Sequence, residues 1–266
     1  MPFAFIGFFL ATKNYDLEWI TLLHVVFCMV FARSAAMAFN RYIDRDIDTA
    51  NPRTAQIREI PNGSIKANSA LIFVIINSIF FIAITYLINP LCLALSPVAL
   101  LVILGYSYTK RFTALCHLVL GLGLALAPIG AYLAVSGEFT IVPLLFSAAV
   151  LFWVSGFDII YSLQDEEFDK EQKLHSIPVL IGKKNALNLS NLLHFLTFSA
   201  LSIAGSLGGF SLYYWIGFWI FSTLLVYQHT LVKHNDLSKI NLAFFTTNGI
   251  ASVIFGAFVI ADLLIK

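Results

Sequence analysis

The chain has 266 residues, of which 59% are hydrophobic and only 12% charged, too few charges to give a water-soluble protein of this size a polar coat. A formal net charge of +1 argues against a nucleic-acid partner, which demands a strongly basic face. Most of this surface must therefore meet a lipid bilayer.

Taken in chain order, the first apolar stretch, near 3–11, is only nine residues, about half of the roughly 20 a spanning helix needs. It reads as a first helix cut short. Nothing before it has the charged start and small-residue cleavage site of a signal peptide. Full-length apolar stretches follow near 18–39, 69–88, 90–108, 113–135, 139–163, 187–207, 209–231 and 241–265. The turns at 89, 136–138 and 208 are short, whereas 40–67, 109–112, 164–186 and 232–240 are polar, so one membrane face carries the loops. That face holds thirteen of the sixteen Lys and Arg residues and the other only Lys13 and Lys266. By the positive-inside rule the loop-rich face is cytoplasmic, in a bacterial-type inner membrane, with the N-terminus inside and the C-terminus outside. The expected fold is all-α, a multi-spanning transmembrane bundle of nine helices in a single domain, 1–266.

Cys28, Cys92 and Cys116 stand alone within apolar runs and lack the spacing of a zinc site or a disulfide framework, so they read as core filler. The six histidines, His24, His117, His175, His194, His229 and His234, share no ligand spacing and are assigned no metal.

The acidic residues concentrate where two spans run into the two longest loops. Asn40, Asp44 and Asp48 recur every four residues and so share one face of a continuing helix, while Asp46 points elsewhere. Asp158, Tyr161, Asp165 and Asp169 form a second stripe at offsets of three and four. Carboxylates held on separate helices are what Mg2+ accepts when water and a substrate diphosphate complete its coordination. The bland alternative is a pair of solvated helix ends, salt-bridged to neighbouring Arg and Lys. Against it stand the matching positions of the two clusters, after the second and sixth spans, and the depth of Asp158, still inside the bilayer boundary where an ionisable group is costly.

The segment NRYIDRDIDTANPRT (40–54) resembles the first aspartate signature of the UbiA prenyltransferases, FDIIYSLQDEEFD (157–169) resembles their second, and YSYTKRFT (106–113) is similar to their conserved tyrosine and lysine. The resemblance covers nearly the whole chain. It implies a helical barrel open to lipid, in which both motifs hold Mg2+ on an isoprenoid diphosphate beneath a cap formed by loops at about 49–67 and 170–186. Carried over, Asn40, Asp44, Asp48, Asp165 and Asp169 become the metal and diphosphate site. One departure is Arg41, which stands where the family usually has an acid, so ligation by that position is lost and Arg41 is expected to contact diphosphate or a neighbouring aspartate. This variant is similar to a subgroup associated with menaquinone made through futalosine. PFAFIGFF (2–9) resembles the middle of the family's first helix, which points to a start codon upstream.

The implied chemistry assigns the remaining residues. Lys110, with Arg111, would reach diphosphate oxygens from the 109–112 loop, or serve as interfacial anchors. Tyr106 and Tyr161 would present aromatic faces to the allylic cation, or simply pack. Arg33 lies inside a span, seven residues before Asn40 on nearly the same face, and needs an anionic partner. Either the carboxylate of an acceptor such as 4-hydroxybenzoate or a dihydroxynaphthoate supplies it, or Asp158 does. The expected reaction is thus Mg2+-dependent transfer from polyprenyl diphosphate to an aromatic acid in quinone biosynthesis. The competing readings are a relative acting on haem, a chlorophyllide, a glycerol ether or a ribose phosphate, and a transporter, whose coupling sites would lie nearer the midplane.

Overall fold

The computed structural model describes residues 1–265, which fold as helices joined by short connections. In chain order these are α1 (Pro2–Ala11), α2 (Trp19–Ile43), α3 (Arg45–Ala50), α4 (Ala67–Ile88), α5 (Pro90–Thr109), α6 (Cys116–Ser136), α7 (Ile141–Ser162), α8 (Glu166–Glu171), α9 (Ile177–Leu207), α10 (Leu212–Leu231) and α11 (Asn248–Ile265). A single 3-10 turn, Leu163–Asp165, separates α7 from α8, and a π-helical stretch, Leu242–Thr247, leads into α11.

Seven helices among the described residues are long and apolar enough to cross a membrane. The expected span at 209–231 folds as α10, 20 residues long, but its tyrosines, Gln228 and His229 dilute its apolar character below that of the seven. The other difference lies in the loop expected over 164–186. Most of it is helical, because α8 fills 166–171 and α9 starts at Ile177, ten residues before the apolar stretch, bending at Gly182 (φ 77°) where only a residue without Cβ is unstrained. Elsewhere the turns use the chemistry their residues offer. Asn89 caps α5 by accepting from the Cys92 N–H at 2.8 Å, and its amide donates to the Leu133 carbonyl at 2.9 Å, tying the α4–α5 turn to the far end of α6.

Lipid tails are as apolar as leucine, so helix association here depends on close packing rather than on hydrophobic exclusion. Glycine provides it at the central contacts. A Cβ on Gly7 would sit 2.0 Å from the Pro128 carbonyl oxygen, and one on Gly156 would sit 2.5 Å from the His194 ring. The first contact seats α1 on α6 and the second seats α7 on α9. Around α7 a core forms from Phe146, Val150 and Trp153 with Phe3 and Ile6 of α1, Leu201 of α9, Phe221 of α10 and Phe255 of α11. At the loop-poor end, Asp262 of α11 is buried and accepts from the backbone N–H groups of Ser211 and Tyr214, capping α10 from a neighbouring helix.

The opposite side is built loosely. Only 11% of the apolar window of α2, and of α5, is buried, against 50% for the span that contains α7. One stripe of α2, Val30, Arg33 and Met37, therefore runs uncovered toward the loop-rich face, with Met37 half exposed, and is continued by the partly covered Asn40 and the buried Asp44.

Candidate active site

Both acidic stripes survive folding, each across a break. Asp44 is the junction between α2 and α3, yet its N–H bonds to the Asn40 carbonyl at 2.9 Å and the Asp48 N–H bonds to its own carbonyl at 2.7 Å. The helical register thus continues, and the Asn40 amide donates to Asp44 Oδ2 at 2.9 Å. Asp46 projects into solvent, its side chain 86% exposed. In the second motif, Asp158 and Tyr161 end α7, Asp165 closes the 3-10 turn and Asp169 lies on α8.

The motifs meet through cations. Arg53, on the segment after α3, forms a fork with Asp165, Nε to Oδ1 at 3.0 Å and Nη2 to Oδ2 at 2.5 Å, and its Nη1 donates to the Tyr161 hydroxyl at 3.0 Å. Lys110 Nζ stands 3.5 Å from Asp169 Oδ1 and is close enough to Asp48 to favour its ionised form, so it bridges the two acidic stripes. Arg58 approaches Asp48 Oδ2 at 3.8 Å. Arg111 donates to Asp44 Oδ1 at 2.9 Å and to the Ile43 carbonyl at 2.8 Å, which also satisfies the open end of α2. Each of the four aspartates thus has its own basic partner, as the bland alternative required, but the pairs converge on one mouth rather than dispersing into water.

The residues fit a divalent metal with a polyanion. Asp44, Asp48 and Asp169 are buried, and Asp48 Oδ2 and Asp169 Oδ1 accept no hydrogen bond. Their basic neighbours, Arg58 at 3.8 Å and Lys110 at 3.5 Å, form no hydrogen bond with them, and a more closely held cation would complete oxygens that are otherwise costly to bury. Burial, and then the charge of Asp44, push the Asp48 carboxyl up to about 6. Among the described residues no three His, Cys, Asp or Glu side chains form a preassembled metal cluster; each of the four carboxylates faces a basic residue instead.

Several expectations change. Asp158 pairs with His117 and not with Arg33: His117 Nδ1 lies 2.7 Å from Asp158 Oδ2, while Nε2 accepts from the Ile177 N–H at 3.3 Å. That pattern puts the ring proton on Nδ1, donating to the carboxylate. Arg33 is exposed on the open stripe of α2 and forms no ion pair or hydrogen bond among the described residues. Arg41 contacts Asn40 Oδ1 at 3.2 Å and Glu59 at 3.4 Å rather than an aspartate, since its side chain leaves α2 beside the stripe and not on it. Tyr161 stacks on Phe244 at 4.1 Å and lies under the Arg53 guanidinium, so its ring is already engaged. Tyr106 stays within electrostatic reach of Asp44, Asp158 and Arg41, beneath the mouth. Asn51, whose amide donates to Asp165 Oδ1 at 3.4 Å, together with Arg53, Arg58 and His117, belongs to the site without standing out in the sequence. The NPR run at 51–53 follows the aspartates of the first signature and is a signal for the first two; His117 has none.

The model of the UbiA prenyltransferase family matches residues 1–250. The chain belongs to that family. The 4-hydroxybenzoate octaprenyltransferase of Tolumonas auensis is 30% identical over 229 residues, 86% of this chain and 79% of that protein. The apo structure of a UbiA homolog from Aeropyrum pernix superimposes with a TM-score of 0.90 at 31% identity, covering 99% of this chain and 96% of that one. A UbiA homolog from Archaeoglobus fulgidus, solved bound to DMAPP and Mg2+, shares the fold, with a TM-score of 0.70 at 18% identity over 100% of this chain and 97% of that one. This UbiA member is an integral membrane prenyltransferase, and the transporter reading is set aside.

Proposed function

We propose that this enzyme transfers a polyprenyl group from polyprenyl diphosphate, with Mg2+, to a ring carbon of a small aromatic acid of the 4-hydroxybenzoate or dihydroxynaphthoate type, as a step of quinone biosynthesis. The observation that carries the choice of acceptor is Arg33. An uncompensated guanidinium within a membrane span is expensive, and a planar carboxylate satisfies it by paired hydrogen bonds. It lies seven residues, about 10 Å, along α2 from Asn40 and on nearly the same face, below the acidic mouth.

Asp44, Asp48, Asp165 and Asp169, with Asn40, are the residues that would hold the metal. Bound Mg2+ neutralises the charge that develops on the departing diphosphate. Lys110, Arg53, Arg58 and Arg111 surround the same mouth and turn toward phosphate oxygens, stabilising the leaving group as its C–O bond breaks. Tyr106 offers its ring to the allylic cation. The ring carbon then bonds to that cation, and the displaced ring proton passes to Asp158, which His117 fixes in place. Arg41, displaced from metal ligation, holds Asn40 and Glu59 at the rim. By the Lys and Arg bias the mouth opens to the cytoplasm.

The test is purified protein with Mg2+, a radiolabelled polyprenyl diphosphate and a panel of acceptors. Lipid-soluble product is expected from a hydroxylated aromatic acid; product from a glycerol phosphate or a porphyrin alone would overturn the assignment.

A further inference from the structure

Away from the mouth, a cleft of about 450 Å³ opens at the loop-rich end of the seam between α9 and α10. Its walls carry Lys184, Asn188 and Asn191 from one face of α9, and His229, Lys233 and His234 from the end of α10 and the turn beyond it. No carboxylate lines it. Lys183 pairs with Glu166 at 3.6 Å, whereas Lys184 and Lys233 form no ion pair among the described residues. The neighbouring Asp236 accepts from the Ser238 N–H and hydroxyl at 3.0 and 2.7 Å; it lies outside the lining and within electrostatic reach of Lys233 and Lys239, two cations to one carboxylate, so the cleft keeps a positive balance. At the inner wall His229 is fixed by His194, ring nitrogen to ring nitrogen at 2.8 Å. The lining thus offers donors and positive charge, which is what a phosphate group takes.

The two walls continue as apolar stripes into the bilayer. Lys184, Asn188 and Asn191 are followed on the same face of α9 by Phe195 and Phe198, and on α10 His229 lies three residues beyond Val226 and ten beyond Trp219, with Lys233 in the turn just past the helix end. Phe195, Trp219 and Val226 are 62%, 60% and 67% exposed, and Phe198 joins the two helices through ring contacts at 6.4 Å to Phe195 and 6.0 Å to Trp219. From Asn191 to Phe198 is about 10 Å along the helix, within the roughly 15 Å depth of one leaflet. A polar, cationic head end joined to an apolar tail seam fits an amphiphile and not a free ion.

We propose that this seam binds an anionic glycerophospholipid, its phosphate headgroup in the cleft beside Lys184 and Lys233 and an acyl chain along Phe195, Val226 and Trp219. Basic pockets between membrane helices recognise such headgroups by the same electrostatics. The site is separate from the prenyl-transfer residues and does not depend on which acceptor the enzyme uses.

The full chain in neutral detergent, titrated with dioleoyl phosphatidylglycerol or dioleoyl phosphatidylcholine and read by native mass spectrometry, tests this. The expected result is a preference on the order of tenfold for the anionic lipid, falling to parity in the double variant Lys184→Gln, Lys233→Gln. Both lysines are exposed, so the variant should keep its melting temperature and its prenyl transfer in detergent. Equal binding of the two lipids by the unaltered chain overturns the proposal, as does an undiminished preference in the variant. Displacement of phosphatidylglycerol by an equal concentration of inorganic phosphate would make the cleft a free-phosphate site and reject the lipid.

Discussion

Arg53 and Asp165 are joined by two roughly parallel bonds, Nε to Oδ1 and Nη2 to Oδ2, and the same guanidinium donates to the hydroxyl of Tyr161. It fixes the segment after α3 against the end of α7. Lysine at position 53 keeps the charge but not the planar fork, so Arg53→Lys is expected to lower kcat/KM by about 10- to 100-fold with little change in membrane insertion. Steady-state kinetics on the purified variant check this; an unchanged kcat/KM would show that the fork does not shape the mouth.

Asp44→Asn and Asp165→Asn each remove one carboxylate while leaving a polar side chain of the same size. Turnover is expected to fall by about 10²- to 10³-fold or more, because these oxygens face charge that develops only in the transition state. A chelator should abolish activity in the unaltered enzyme and added Mg2+ should restore it, whereas added Mg2+ should not rescue either variant.

Asp48 supplies a pH dependence. Its folded-state carboxyl is raised from 3.8 to about 6, so between these values the folded protein binds more protons than the unfolded chain and stability falls as pH rises. The destabilisation is complete above about pH 6 and absent below about pH 4. Asp48→Asn should therefore stabilise the metal-free protein at pH 7.5 by about 1 kcal/mol once solvent screening is allowed for, and not at pH 4, while abolishing turnover. Thermal melts in detergent at both pH values decide it.

Arg33→Ala should raise KM for the aromatic acid by about tenfold or more and leave KM for the prenyl diphosphate nearly unchanged, because only the acceptor's carboxylate is assigned to it. Equal effects on both substrates would move Arg33 from acceptor binding to general electrostatics.

Asp262 caps α10 from α11 without touching the mouth. Replacing it with Ala leaves the Ser211 and Tyr214 N–H groups without their carboxylate and should cost about 1–3 kcal/mol of stability, with specific activity of the folded fraction retained. A denaturation midpoint and an activity assay on the same preparation separate the two.

Much of this was legible in the sequence because it rests on local periodicity. Spans show as runs of apolar residues whatever they pack against, and Asn40, Asp44 and Asp48 share a face whether or not the helix pauses at Asp44. What escaped depends on tertiary packing. His117 and Asp158 lie 41 residues apart on α6 and α7, and they meet because Gly121 lets those helices approach until a Cβ there would stand 2.3 Å from Ser155 Oγ. No spacing rule reports such a pair. The early start of α9 was hidden for a different reason: Lys183, Lys184, Asn185 and Asn188 break the hydropathy of a stretch that is nevertheless helical.

The pairing of Asp44, Asp48, Asp165 and Asp169 with Arg111, Arg58, Arg53 and Lys110 makes the resting doorway electrically balanced, four negative groups against four positive. On the proposed function, substrate loading would amount to a change of partners: the acids would release their bases to the incoming anion and take up the incoming cations, with little net charge created or destroyed. Donor affinity measured with Mg2+ present should accordingly vary only weakly with ionic strength, far less than for a site that captures a polyanion on an unmatched cationic patch.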